Sequence, residues 1–130
     1  MAWDDVKAPG NIIPSADYNI MVTYIKSLLG LGGGTLTGAL VFAGSTFTDE
    51  DATPAVDGGN VFDTANTATT VITQFDGGTA RQVIFIMFND DYTAVAHNSN
   101  IKLSGGVQLD FLQYETLCLI KIGSVWVELR

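Results

Sequence analysis

Catalysis and metal binding need polar groups brought together in recognisable patterns, and the candidates for such patterns are few in this chain. His97 is the only histidine and Cys118 the only cysteine, so one chain can form neither a disulfide nor a histidine or cysteine zinc cluster. Three copies of His97 could meet on a threefold axis; the plainer reading of Ala96-His97-Asn98 is a surface or turn histidine. Cys118, in Leu117-Cys118-Leu119-Ile120, reads as a small buried hydrophobe. Asp90 and Asp91 are adjacent, and neighbours in an extended chain point to opposite faces, so they read as turn formers. A glycosidase needs two carboxyls about 5–10 Å apart across a sugar, and nothing marks Asp110 and Glu115 as such a pair. Asp49, Glu50, Asp51, Asp57 and Asp63 crowd one stretch without the alternation and closing glutamate of a calcium loop. With Pro54 and Gly58-Gly59 among them, they read as a solvated, extended connector. No Gly-x-Ser-x-Gly element or phosphate-cradling loop occurs. The expectation is a chain with no catalytic residue, no cofactor and no metal.

Binding groups remain. Tyr92, Tyr114 and Trp126 are amphipathic rings that can stack on sugars. Trp126 lies between Val125 and Val127 and reads as core or subunit-interface packing. Tyr92 and Tyr114 sit in turns and are the candidate surface ligand contacts.

Composition bears on partners. The chain of 130 residues carries 14 acidic and 6 basic residues, a net charge of −8, with a positive mean hydropathy of +0.27. A single small domain buries a limited fraction of its surface, so a chain this apolar is expected to bury the excess in an oligomer. Clustered Lys and Arg, the footprint of a phosphate-backbone ligand, are missing, which argues against nucleic acid. No run approaches the roughly 18 apolar residues that span a membrane, and Met1-Ala2-Trp3-Asp4-Asp5 does not open a signal peptide.

The elements that must position these residues begin with an irregular stretch, 1–14, broken by Pro9-Gly10 and Pro14. Its apolar residues Trp3, Val6, Ile12 and Ile13 are candidates for contact with a partner surface. Ser15 stands as an N-cap, and Tyr18, Val22, Ile25 and Leu29 recur at intervals of four, three and four, predicting a helix over 16–29 with one apolar seam. An isolated helix of that length is marginal in water, so the seam is an expected oligomerisation surface. Gly30 and Gly32-Gly33-Gly34 form a hinge. Residues 35–48 alternate threonine with apolar residues and favour strand. Beyond Asp63 come short strands separated by turns: 69–75, 82–88, 93–96, 101–103, 107–112, and a 117–122/125–129 hairpin across Gly123-Ser124. The unbroken apolar run Val83-Ile84-Phe85-Ile86-Met87-Phe88 predicts a strand covered on both faces. Val83, Phe85 and Met87 are therefore further oligomerisation candidates, with neighbouring copies supplying part of the cover.

Two stretches carry a resemblance. Gly33-Gly34-Thr35-Leu36-Thr37-Gly38-Ala39-Leu40 resembles an element of the shafts of bacteriophage tail fibres and related trimeric virion appendages. The order Gly59-Asn60-Val61-Phe62, Thr70-x-Ile72-x-x-Phe75-Asp76-Gly77-Gly78, Gln82-x-Ile84, His97-Asn98-Ser99-x-Ile101-x-Leu103, Leu117-x-Leu119 and Trp126-x-Glu128 is similar to the C-terminal head of many tail-fibre and tailspike chains. The chain departs from that pattern at Arg81, where the family usually has glycine. No large central shaft or β-helix lies between anchor and head, which argues against a long fibre or a full tailspike depolymerase.

The resemblance implies an intertwined homotrimer in a virion, made in the host cytoplasm. The expected organisation is an anchor and helix (1–29), a hinge, short strand and acidic connector (30–59), and an all-β head (60–130). The expected fold is mainly β with one short helix, the head being a sandwich or prism. The expected function is that of a non-enzymatic short fibre or capsid decoration. Its N-terminal segment would bind a capsid or tail protein, and its head would face outward towards a host surface glycan. The alternatives are a stand-alone carbohydrate-binding module and a small polysaccharide depolymerase.

Overall fold

The computed structural model describes residues 19–23 and 37–129. The chain divides into two compact units, Met1–Val41 and Phe42–Arg130. In the first unit residues 19–23 are helical, with the Thr23 hydroxyl donating to the Asn19 carbonyl at 2.9 Å. Of the expected helical seam, Val22 is half-buried; Tyr18, Ile25 and Leu29 lie outside the described residues. So do Trp3, Val6, Ile12 and Ile13 and the glycine hinge.

The described residues of the second unit form nine strands: β1 (Gly44–Thr46), β2 (Val61–Asp63), β3 (Thr70–Ile72), β4 (Val83–Met87), β5 (Thr93–Val95), β6 (Ile101–Lys102), β7 (Leu109–Asp110), β8 (Thr116–Ile122) and β9 (Val125–Glu128). They form a six-stranded sheet in the order β1-β2-β4-β8-β9-β6 and a three-stranded sheet β3-β5-β7. The mainly β expectation is met. Of the strand expected over 35–48, the described residues form β1 alone, and residues 37–43 carry no regular structure.

The connectivity explains how so short a chain makes parallel pairs without crossover helices. From β2 to β8 successive strands alternate between the two sheets. The parallel pairs β2/β4 and β3/β5 are thus each linked through a strand of the opposite layer. The 47–60 connection between parallel β1 and β2 makes a similar excursion, with Ala55 bridged to Asp76 and Thr73 N–H donating to the Ala52 carbonyl. A β-strand here does the work that a helix does in an α/β crossover.

One core lies between the layers. Phe62, Ile84, Ile86, Leu117, Leu119, Ile101 and Trp126 enter it from the larger sheet, and Ile72 and Val95 from the smaller. Phe47 stacks on Phe62 at 5.1 Å, Phe75 meets Trp126 edge-on at 6.1 Å, and Phe88 lies flat on Phe111 at 3.9 Å. The expected solvated connector is packed instead. Phe47, Pro54 and Val56 are buried, and its carboxylates tie loops together: Asp49 accepts from Thr67, and Asp57 from Gly78 N–H. Apolar residues spaced between the acids anchor the stretch, while the acids replace backbone partners in the turns.

Two turns bear on the sequence reading. Gly123 has φ 62 while Ser124 stays at negative φ, as a type II′ hairpin requires. Arg81 takes φ 72, so the left-handed turn is made even without glycine.

Candidate functional site

The pairing registers set the two faces of the six-stranded sheet. Ile84 and Ile86 point inward, so Val83, Phe85 and Met87 point outward, and pairing carries that parity across the sheet. Phe85 is level with Val61 on β2 and Cys118 on β8; Val83 is level with Ile120, which is level with Val127; Ile122 pairs with Val125. The outer face of β4, β8 and β9 is thus a field of Val, Ile, Phe and Met side chains, with Cys118 among them and Thr116 beside Met87 at one end. Phe85 and Met87 are each 42 % exposed, Ile122 60 %, and Leu129, just beyond β9, 44 %. Among the described residues the apolar run 83–88 is therefore covered on one face only. Its other candidates, Phe85 and Met87, lie on a bare face, with Val83 half-buried beside them.

Cys118 belongs to this face and is half-buried. It was expected in the core, but the register places Leu117 and Leu119 inward and Cys118 between them outward. Burial still pushes its thiol above the ordinary range, which disfavours the reactive thiolate.

The second feature is the pair of loops bearing Tyr92 and Tyr114. Gln113 N–H donates to the Asp91 carboxylate at 2.8 Å, Gln113 Nε2 to the Asn89 carbonyl at 3.4 Å, and Tyr114 N–H to the Phe88 carbonyl at 2.7 Å. The Phe88–Phe111 stack lies at the root of both loops. The structure thus joins the loops of the two tyrosines singled out in the sequence. Tyr92 is 49 % and Tyr114 83 % exposed. Tyr114 also has φ 74, a costly backbone for a bulky residue. It is a strained residue that earns little packing. Tyr114→Gly is expected to raise the unfolding free energy by up to about 1 kcal/mol, read from a denaturant melt. A loss of stability would show that the ring packs rather than being held out.

Beneath the Tyr92 loop sits Asp90, a buried carboxylate. It accepts from Asn66 N–H at 2.9 Å, Tyr92 N–H at 2.8 Å and the Thr93 hydroxyl at 2.8 Å, with a further bond from the Thr64 side chain. Burial pushes its pKa up, but these hydrogen bonds together outweigh burial and hold it below the usual carboxylate value. Asn66 extends the network, its Nδ2 donating to Thr93 and its Oδ1 accepting from Glu50 N–H. Sequence reasoning recognised Asp90 as a turn former but missed its burial. The signal available was the company of Thr64, Asn66 and Thr93, residues suited to donate to a carboxylate and too distant in sequence to form a motif.

The remaining candidates have structural partners. His97 Nδ1 accepts from Leu103 N–H at 3.0 Å. Asp110 accepts from Gln108, and Glu115 from Leu112 N–H. Trp126 is in the core, its Nε1 donating to the Phe75 carbonyl at 3.4 Å, with the Lys121 ammonium 5.6 Å from its ring. Among the described residues no group of three or more His, Cys, Asp or Glu could hold a metal ion, and no helix is long and apolar enough to cross a membrane.

Comparison with known proteins finds no family model, no curated protein and no solved structure that matches this chain.

Proposed function

We propose that this chain is a non-enzymatic structural protein of a phage or virus, a homotrimeric short fibre or capsid decoration. In this reading residues 1–29 anchor it to a capsid or tail protein, the glycines at 30–34 act as a hinge, and the β unit faces outward. The observation that carries the self-assembly is the uncovered apolar face of β4, β8 and β9 on a chain of net charge −8. A contiguous exposed apolar patch marks a contact surface. The virion assignment rests on the resemblance of residues 33–40 and 59–130 to tail-fibre shaft and head elements. Threefold repetition would multiply weak contacts between the Tyr92 and Tyr114 loops and a host surface glycan. The partners in this reading are other copies, a virion protein and a glycan, with no role for nucleic acid or a membrane.

Light scattering coupled to size exclusion tests the assembly: three chains per particle support it, and a single chain at micromolar concentration overturns it. Labelling the protein on intact particles tests the virion assignment. The two joined tyrosine loops also favour a second reading, a carbohydrate-binding module unconnected with virions. Glycan binding by a chain absent from particles would select it. Release of reducing sugars from a host polysaccharide would instead support a depolymerase.

A further inference from the structure

The charges on the outer face of the six-stranded sheet bear on how copies meet. On its strands, the side chains pointing outward include one acid and one base, Asp63 on β2 and Lys102 on β6. All the other outward positions of β2, β4, β8 and β9 are uncharged. In the sheet order β2 and β6 flank β4, β8 and β9, a separation of four strand spacings or about 19 Å. Asp63 is level with Met87, whereas Lys102 is level with Val127, Ile120 and Val83. Four residues along β4 add an offset of about 13 Å. The two charges therefore occupy diagonally opposite corners of the apolar field, too far apart to neutralise one another at ordinary ionic strength.

Resting on the reading that the chain self-associates, we infer that the occupant of this face is another copy of the same chain, docked with unlike flanks together. The Lys102 corner of one copy lies against the Asp63 corner of the next. An acidic chain can approach itself cheaply where the surface is uncharged, and here the field supplies that surface while its two corners supply complementary charge. The same pairing removes the penalty of covering either corner charge alone.

The test is charge exchange in the full chain, read as the concentration at which half the chains are assembled, from light scattering over a dilution series. Asp63→Lys and Lys102→Asp are each expected to raise that concentration about tenfold at roughly 50 mM salt and far less at about 1 M salt, where the Debye length is short. The double variant is expected to return to within about threefold of the parent. A thermal melt of the dissociated chains checks that loss of the Asn89–Asp63 hydrogen bond has not altered the fold. If the two single effects add in the double variant, or neither variant shifts assembly, the unlike-flank arrangement is overturned while self-association stands. A parent chain that stays single at every concentration overturns both and assigns the face to another segment of this chain or to a different protein.

Discussion

Phe85→Asp is expected to convert the proposed assembly into single folded chains. Phe85 lies at the centre of the outer face, between Val61 on β2 and Cys118 on β8, and is 42 % exposed in the isolated chain. Within one copy the new carboxylate has water on its open side, so the far-UV spectrum and melting behaviour of the single chain should change little. Between copies it would be an unpaired charge in an apolar contact, which costs several kcal/mol. The concentration for half-assembly should rise by about 100-fold or more, as at the core of a packed interface. Ile84→Asp, one position along, is the contrast. Its side chain is fully buried, so it should prevent folding instead of dissociating folded chains. Equal effects at 84 and 85 would show that the two faces of β4 are not distinguished as the register requires.

Asp90→Asn is expected to destabilise the β unit by about 3 kcal/mol in a denaturant titration. The substitution preserves shape and one acceptor, but it turns an amide nitrogen towards a group of donors that includes Asn66 N–H, Tyr92 N–H and the Thr93 hydroxyl. A buried donor facing a donor costs the desolvation of both groups and the loss of a charge-assisted bond. The parent should also show an acid dependence that the variant lacks. Asp90 in the fold has a pKa below its ordinary value, so the unfolded chain takes up the proton first. The stabilisation is complete above the unfolded pKa of about 4 and is lost as pH falls through the lower folded value. Melts between about pH 6 and pH 2 should converge for parent and variant at the acid end. Parallel curves would mean that Asp90 is not the ionised acceptor of this network.

Much of the β architecture could be read from local chemistry. The apolar run 83–88, the Gly123-Ser124 hairpin and the turns at Asp76-Gly77-Gly78 and Asn98-Ser99-Asn100 each depend on neighbouring residues, so a linear reading finds them. β2 was not foreseen, because three residues beside an acidic stretch carry no usable period. Its place comes from parallel pairing with β4, 24 residues away in the register Val61↔Phe85. Asp90 and Thr64 were likewise separate in the sequence, and the buried network exists only once β2 and β4 lie side by side.

By itself, the sequence determined that the chain is acidic yet apolar, rich in short strands and limited to one histidine and one cysteine, because composition, side-chain period and turn residues act over a few positions. Only the tertiary structure decided which apolar residues face inward. In Val83–Met87 every residue is apolar, so no alternation of apolar and polar residues separates Ile84 and Ile86 from Phe85 and Met87. The inner pair is chosen by a second sheet that passes over one face of β4 and leaves the other bare. The same long-range packing aligns Cys118, Ile120, Ile122, Val125 and Val127 with that bare face. An unbroken apolar run thereby gives one face to the core and one to an exposed apolar surface.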